Sequence, residues 1–252
     1  MKLTFLGTGT STGVPSIGCS CATCRSADPR DKRLRASALI QSETTSLLID
    51  SGPDFRQQIL RLGSPAIDAL LITHHHYDHV GGIDDLRPYC YPYGFDVYCD
   101  KDTDRAIRHN FPYCFAKKHY PGAPVFNTNI ITPYKQFSVG DIDVLPLSVN
   151  HYLIEILGFR IGNLAYITDA KHIPEATIDA IRGIDTLVIN ALRHKEHLSH
   201  MNLNEALDVI NNIKPRVAYL THMSHDIGKY GNLEASLPTH ARPAFDGLTI
   251  DF

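Results

Sequence analysis

Thr73-His74-His75-His76-Tyr77-Asp78-His79-Val80-Gly81-Gly82 sets four imidazoles and a carboxylate side by side, directly after the apolar run Ala69-Leu70-Leu71-Ile72. Groups held this close repel or desolvate one another unless a cation neutralises them. Nitrogen and oxygen donors of this kind suit borderline cations such as zinc or manganese. Alternate residues of an extended segment point the same way, so His74 and His76 are placed to share one cation. Asp78 and His79 lie one turn further on and reach a neighbouring cation. The stretch predicts a two-metal site at a strand end, with the glycine pair marking the exit.

Working outward, apolar runs predict strands over 2–6, 36–41, 46–50, 69–73, 96–99, 142–149, 159–161, 164–168, 186–190 and 217–221. Helical spacing predicts helices over 54–62, 101–110, 174–182 and 202–213. Strands interleaved with helices point to a layered α/β architecture. No Pro- or Ser-rich linker divides the chain, so residues 1–252 are read as one domain. Three of the strands end in Thr followed by a metal-competent side chain, at Thr73-His74, Thr168-Asp169 and Thr221-His222, and a fourth ends in Asn150-His151. Ligands in α/β folds gather outside the carboxyl ends of strands, so these endings are expected to converge on one place.

Hydrophobic residues make up 43% of the 252-residue chain and charged residues 20%, a balance that supports a sizeable buried core. The formal net charge of -3 works against binding a long polyanion. No apolar run approaches the roughly 18 residues that a membrane span needs. The first six residues are too short for the apolar part of a signal peptide, which predicts a cytoplasmic protein.

Three of the six cysteines fall in Cys19-x-Cys21-x-x-Cys24, a spacing that suits metal better than a disulfide framework. Three thiolates on one tight loop lack a single further ligand for a closed tetrahedral zinc site, and His225, in a non-helical exit after His222, is a candidate. A redox centre or buried thiols are the competing readings of this loop. Cys90, Cys99 and Cys114 stand alone among aromatic residues and read as small buried hydrophobes.

Thr73 to His79 matches without gaps the T-H-x-H-x-D-H motif of the metallo-β-lactamase superfamily, which the chain resembles. The resemblance implies an αββα sandwich with the site along one edge of its two sheets. It further implies that His151 completes the first metal site with His74 and His76. Asp169 would bridge both metals, and His222 would complete the second site with Asp78 and His79. Asp50 resembles the family's carboxylate that steadies the ligand loop without binding metal. The ligand set, the cysteine loop and Thr221-His222-Met223-Ser224-His225 together resemble the phosphoribosyl cyclic phosphate phosphodiesterases and their close relatives. In those relatives a structural zinc is held by residues matching Cys19, Cys21, Cys24 and His225, and His200 matches an additional active-site histidine.

These features predict a metal-dependent hydrolase of a small, cyclic sugar or nucleotide phosphodiester, with two divalent cations, manganese or zinc, and one structural zinc. A hydroxide shared by the two cations would attack phosphorus, and His200 would protonate the leaving alkoxide. Asp78 is counted with His200 among the catalytic residues. A transfer-RNA 3′-processing nuclease, a thioester hydrolase and a noncatalytic metabolite-binding relative are the alternatives; the nuclease would need a basic arm that the acidic chain does not offer. The expected partner is a small phosphodiester rather than nucleic acid or membrane, and a homodimer is compatible with this reading. Residues 111–136 match no motif of the family and are read as a surface loop or a cover over the site. His75, His109, His119, His172, His194, His197 and His240 are read as surface or packing residues. Gly7-x-Gly9-x-x-x-Gly13 is read as a turn bordering the metal site.

Overall fold

Along the strand Lys2–Gly7, Leu3 and Phe5 point to one face and Leu6 to the other, and all three are fully buried. The same alternation places Ile40, Leu47 and Ile49 on one side and Leu39 and Leu48 on the other. A strand covered on both faces must be apolar on both, which is why these runs read as continuous rather than alternating. Each fully buried Leu, Ile or Phe stabilises the fold by roughly 1.5–3 kcal/mol.

The computed structural model describes residues 1–116 and 122–252. Its strands are β1 (Lys2–Gly7), β2 (Ser37–Gln41), β3 (Ser46–Ile49), β4 (Ala69–Leu71), β5 (Phe95–Cys99), β6 (Phe126–Ile130) and β7 (Phe137–Val139). They continue as β8 (Ile142–His151), β9 (Ile154–Ile161), β10 (Leu164–Ile167), β11 (Thr186–Asn190), β12 (Val217–Thr221), β13 (Ala241–Pro243) and β14 (Thr249–Asp251). One sheet has the order β14-β1-β2-β3-β4-β5-β6 and the other β13-β12-β11-β10-β9-β8-β7. The helices are α1 (Phe55–Arg61), α2 (Tyr77–Val80), α3 (Lys101–Asn110), α4 (Glu175–Ala180), α5 (Leu203–Ile213) and α6 (Tyr230–Ser236).

Three apolar layers result. Leu3, Phe5, Ile49 and Leu71 meet Val144, Phe159 and Tyr166 between the sheets. Phe55, Ile59 and Ile107 cover the outer face of the first sheet, and Ile178, Ile210 and Leu233 that of the second. This is the αββα sandwich expected. Cys90, Cys99 and Cys114 are buried in the first outer layer, as expected of small apolar side chains. No helix among the described residues is long and apolar enough to cross a membrane.

Strand direction positions the site. β3 and β4 are parallel, β10 to β13 are parallel, and β9 runs antiparallel to both β8 and β10. The carboxyl ends of β8, β10 and β12 therefore leave the second sheet at one edge.

The structure departs from the expected elements in particular places. β4 and β10 stop before Thr73 and Thr168; at Thr73 the backbone N–H donates to the Asp50 carboxylate, at 2.8 Å, instead of to a neighbouring strand. β6, β7, β13 and β14 were not expected, and these four form the edges of the two sheets. Edge strands are short, half-exposed and tolerant of Asn or Pro, so they lack an apolar signature. His225 opens a short 3-10 turn, His225–Ile227, capped by the Ser224 hydroxyl, so the exit after His222 is not free of helix. In the segment 111–136, Phe111, Cys114, Phe115 and Phe126 pack into the outer layer of the first sheet rather than covering the site, while residues 117–121, His119 among them, lie outside the described residues.

Candidate metal centre

Five strand endings from both sheets meet at the predicted place: Asp50 after β3, His74 after β4, His151 closing β8, Asp169 after β10 and His222 after β12. His76 lies in the extended link after β4, and Asp78 and His79 belong to the single turn of α2. The donor atoms of His74, His76 and His151 all lie within 4.8 Å of one another, as do those of Asp78, His79, Asp169 and His222.

Asp169 joins the two groups. Its Oδ1 lies 3.4 Å from His79 Nε2, and its Oδ2 lies 3.2 Å from His222 Nε2 and 3.9 Å from His74 Nε2. Asp78 Oδ2 approaches His79 Nε2 at 3.3 Å and His222 Nε2 at 3.4 Å.

The imidazoles are oriented from behind. His79 Nδ1 donates to Asp50 Oδ2 at 2.7 Å. The Thr73 hydroxyl donates to the same Asp50 oxygen at 2.8 Å and so is free to accept from His74 Nδ1 at 3.0 Å. His151 Nδ1 donates to the Ser199 carbonyl at 2.8 Å. Each of these three rings thus spends its Nδ1–H on the protein and turns Nε2 toward the centre. Asp50, the expected steadying carboxylate, is fully buried, and burial raises its carboxyl pKa against the opposing pull of His79.

This arrangement tests whether cations fit. His79 Nε2 is buried without a hydrogen-bond partner, and a neutral ring would aim its lone pair at two carboxylates. Only a proton or a cation relieves that contact. In the protein alone, burial would lower His79, but Asp169, Asp78 and Asp50 outweigh it and hold the imidazole well above its ordinary pKa. Burial would likewise raise Asp78 and Asp169, yet His79 and His222 keep both well below the usual carboxylate range. Imidazole nitrogens and carboxylate oxygens converging at this density are a fitting donor set for divalent cations.

His200 stacks on His222 with ring centres 4.8 Å apart and sits 4.7 Å from His151. Burial pushes its imidazole down to about 3, although Asp169, 3.8 Å from Nδ1, pulls the other way. Cys19, Cys21, Cys24 and His225 also converge within 4.8 Å, with His225 Nδ1 3.3 Å from Cys21 Sγ and 3.6 Å from Cys19 Sγ. The Cys24 N–H and then His225 lower the Cys21 thiol to about 6, whereas burial pushes Cys24 up to about 11.

Some contributors were not foreseen. The Asn190 side chain grips Ala170, accepting its N–H at 2.7 Å and donating to its carbonyl at 3.0 Å, and so holds the turn that carries Asp169. Gly52 and Gly82 bring the Asp50 loop against the exit of α2. The Ser199 carbonyl orients His151 and would be invisible to any reading of side chains. His197, read as a surface or packing residue, packs against His200 with ring centres 5.1 Å apart.

The sequence model of the beta-lactamase superfamily domain matches residues 45–223. The chain belongs to the metallo-β-lactamase superfamily. Members of this superfamily are mostly metal-dependent hydrolases, and their fold binds divalent metals. A solved structure described as a new diphosphatase from the PhnP family is 38% identical, with a TM-score of 0.93 over 100% of this chain and 97% of that one. The Zn(2+)-bound PqqB of Methylobacterium extorquens superposes with a TM-score of 0.83 at 22% identity, covering 100% of both chains, a likeness of fold. An octanoyltransferase of Porphyromonas gingivalis (strain ATCC BAA-308 / W83) is 42% identical over 250 residues, 98% of this chain but 51% of that protein. The chain thus spans about half the length of that relative.

Proposed function

We propose that this superfamily member is a metal-dependent hydrolase of small phosphodiesters, a cyclic sugar or nucleotide phosphate being the favoured substrate. The observation that carries this reading is the pair of abutting donor groups facing one shared carboxylate, Asp169. In this reading His74, His76 and His151 hold one cation, Asp78, His79 and His222 hold the other, and Asp169 serves both. Divalent cations held there supply a water of lowered pKa and a positive field for phosphoryl oxygens.

The chain's own residues do the rest. Asp50 keeps His79 and, through Thr73, His74 in the tautomer that presents Nε2. Asp78 stays ionised, because His79 and His222 outweigh its burial, so it is a fixed charge rather than a proton carrier. His200 is neutral around pH 7, so what it offers the leaving oxygen is hydrogen-bond donation from a ring N–H. The net charge of -3 favours a small ester over a long polyanion. The 38% identity with a PhnP-family diphosphatase, over nearly the full length of both chains, supports phosphoryl chemistry. The match to the octanoyltransferase leaves about half of that protein unaligned, so acyl chemistry enters only as a comparison. Cys19, Cys21, Cys24 and His225 are proposed to hold a structural zinc.

The test is turnover by metal-quantified protein of cyclic and linear phosphodiesters and diphosphates, beside thioester and β-lactam substrates. Phosphomonoester release that a chelator abolishes and added manganese or zinc restores is the expected result. Turnover of a thioester but of no phosphorus ester would overturn the proposal.

A further inference from the structure

His222, His200 and His197 form a row of imidazoles leading outward from the centre. The side chain of His222 is 1% exposed and that of His200 12%, while His197 is half-buried. Neighbouring rings are 4.8 Å apart at 20° and 5.1 Å apart at 40°. His197 sits on the loop that also supplies His200 and the carbonyl that orients His151. That loop is braced: the Arg193 guanidinium donates to the carbonyl of Glu196 at 2.9 Å and of Lys195 at 3.3 Å, and the Ser199 carbonyl accepts from His151 at 2.8 Å.

The tautomer of His197 follows from its neighbours. The Ser199 N–H points at His197 Nδ1 at 3.3 Å, and a backbone N–H can only donate. Nδ1 therefore accepts, and in the neutral ring the proton sits on Nε2. Among the described residues no carboxylate pairs with this ring. Arg193, on the same loop, and Lys171, which is paired with Glu205 at 2.6 Å, are cationic groups near it.

We propose that His197 is a substrate-binding residue whose Nε2–H holds a nonbridging phosphoryl oxygen at the mouth of the metal centre, an inference that rests on the phosphodiesterase reading. It binds the phosphate in ground and transition states alike, in contrast to His200, which meets the leaving oxygen. Uniform binding of that kind appears in KM rather than kcat.

The test compares wild type with His197→Ala and His197→Gln, all metal-loaded and with metal content quantified. Inorganic phosphate is the probe in calorimetry, and a cyclic phosphodiester the substrate in kinetics. Glutamine carries an amide N–H close to where the imidazole Nε2–H lies. In His197→Ala, phosphate affinity is expected to weaken by about tenfold and KM to rise alike, with kcat within about threefold of wild type. His197→Gln should recover most of both. Unchanged phosphate affinity in His197→Ala would overturn the inference, as would a glutamine variant no better than alanine at normal metal content. If wild type turns over no phosphodiester yet His197→Ala still weakens phosphate, the proposed function fails while the binding role of His197 stands.

Discussion

At the scale of single residues, Asp50 is the point on which the geometry turns. Its two oxygens accept from His79, the Thr73 hydroxyl and the Thr73 N–H, and so orient two proposed ligands without facing either cation. Asp50→Asn keeps the shape but replaces one acceptor with a donor that confronts another donor. Metal affinity is expected to fall by roughly 10–100-fold with the fold retained, measured by titration of metal-free protein with zinc or manganese. Affinity equal to wild type would show that His79 and His74 need no such support. Asp50, Asp169 and His222 also share a left-handed backbone, with φ of 59°, 57° and 53°. A non-glycine residue there costs of order 1–3 kcal/mol, and its recurrence at three positions of one site marks strain kept for placing ligands.

At the scale of elements, two loops meet back to back beneath the ligands. The Ser51 N–H donates to the His79 carbonyl at 2.8 Å, and the Gly82 N–H to the Ser51 carbonyl at 2.9 Å. A Cβ on Gly82 would lie 2.0 Å from the Gly52 carbonyl oxygen, and one on Gly52 would lie 2.1 Å from that of Asp78. In both cases a Cβ fixed by the main chain meets a backbone carbonyl oxygen, so no side-chain rotation can relieve the contact. Gly82→Ala is expected to destabilise the protein by at least about 2 kcal/mol and to lower its metal content, whereas Gly231→Ala in α6 meets nothing within 4 Å and should be neutral or slightly stabilising. Urea denaturation of both variants, with metal analysis, makes the comparison. The cysteine loop forms a second cluster, with Cys19, Cys21 and Cys24 converging on His225 at the start of its turn, where a structural zinc is proposed. Cys21→Ser should cost the protein one zinc and lower its melting temperature while the histidine and aspartate centre keeps its ions; an unchanged metal count would refute the structural zinc.

At the scale of the whole molecule, the C-terminal segment closes the first sheet. β14 pairs with β1, and the Asp246 carboxylate accepts from the Leu34 N–H and the Thr8 hydroxyl, each at 2.8 Å. Burial pushes that carboxyl up to about 6, despite the opposing hydrogen bonds and Arg61. The unfolded chain ionises it nearer 3.8, so its stabilising contribution is complete below that pH and is lost as pH rises through about 6. The stability of wild type relative to the non-titrating Asp246→Asn should therefore fall between pH 4 and pH 7, by on the order of 3 kcal/mol. Chemical denaturation across that range, at constant metal, provides the measurement; a difference that does not change with pH would mean that Asp246 titrates normally.

The sequence alone determined the residue types of the candidate site and the layered α/β class. Strands interleaved with helices pointed to stacked layers, which the family resemblance narrowed to an αββα sandwich, and the density of His74 to His79 pointed to a cation. Local pattern cannot carry what depends on partners far along the chain. The four edge strands went unseen because half-exposed strands need no apolar signature. The left-handed turns at Asp50, Asp169 and His222, the grip of Asn190 on Ala170 and the role of the Ser199 carbonyl exist only once strands from two sheets end at one edge. Tertiary structure also set the surroundings of His197, packing its ring against His200 and turning Nδ1 toward the Ser199 N–H, since a histidine's tautomer and neighbours are set by what folds against it. The donor set was written in residue types; its convergence belongs to the topology, because parallel strands and the antiparallel β9 between β8 and β10 bring distant endings to a common point.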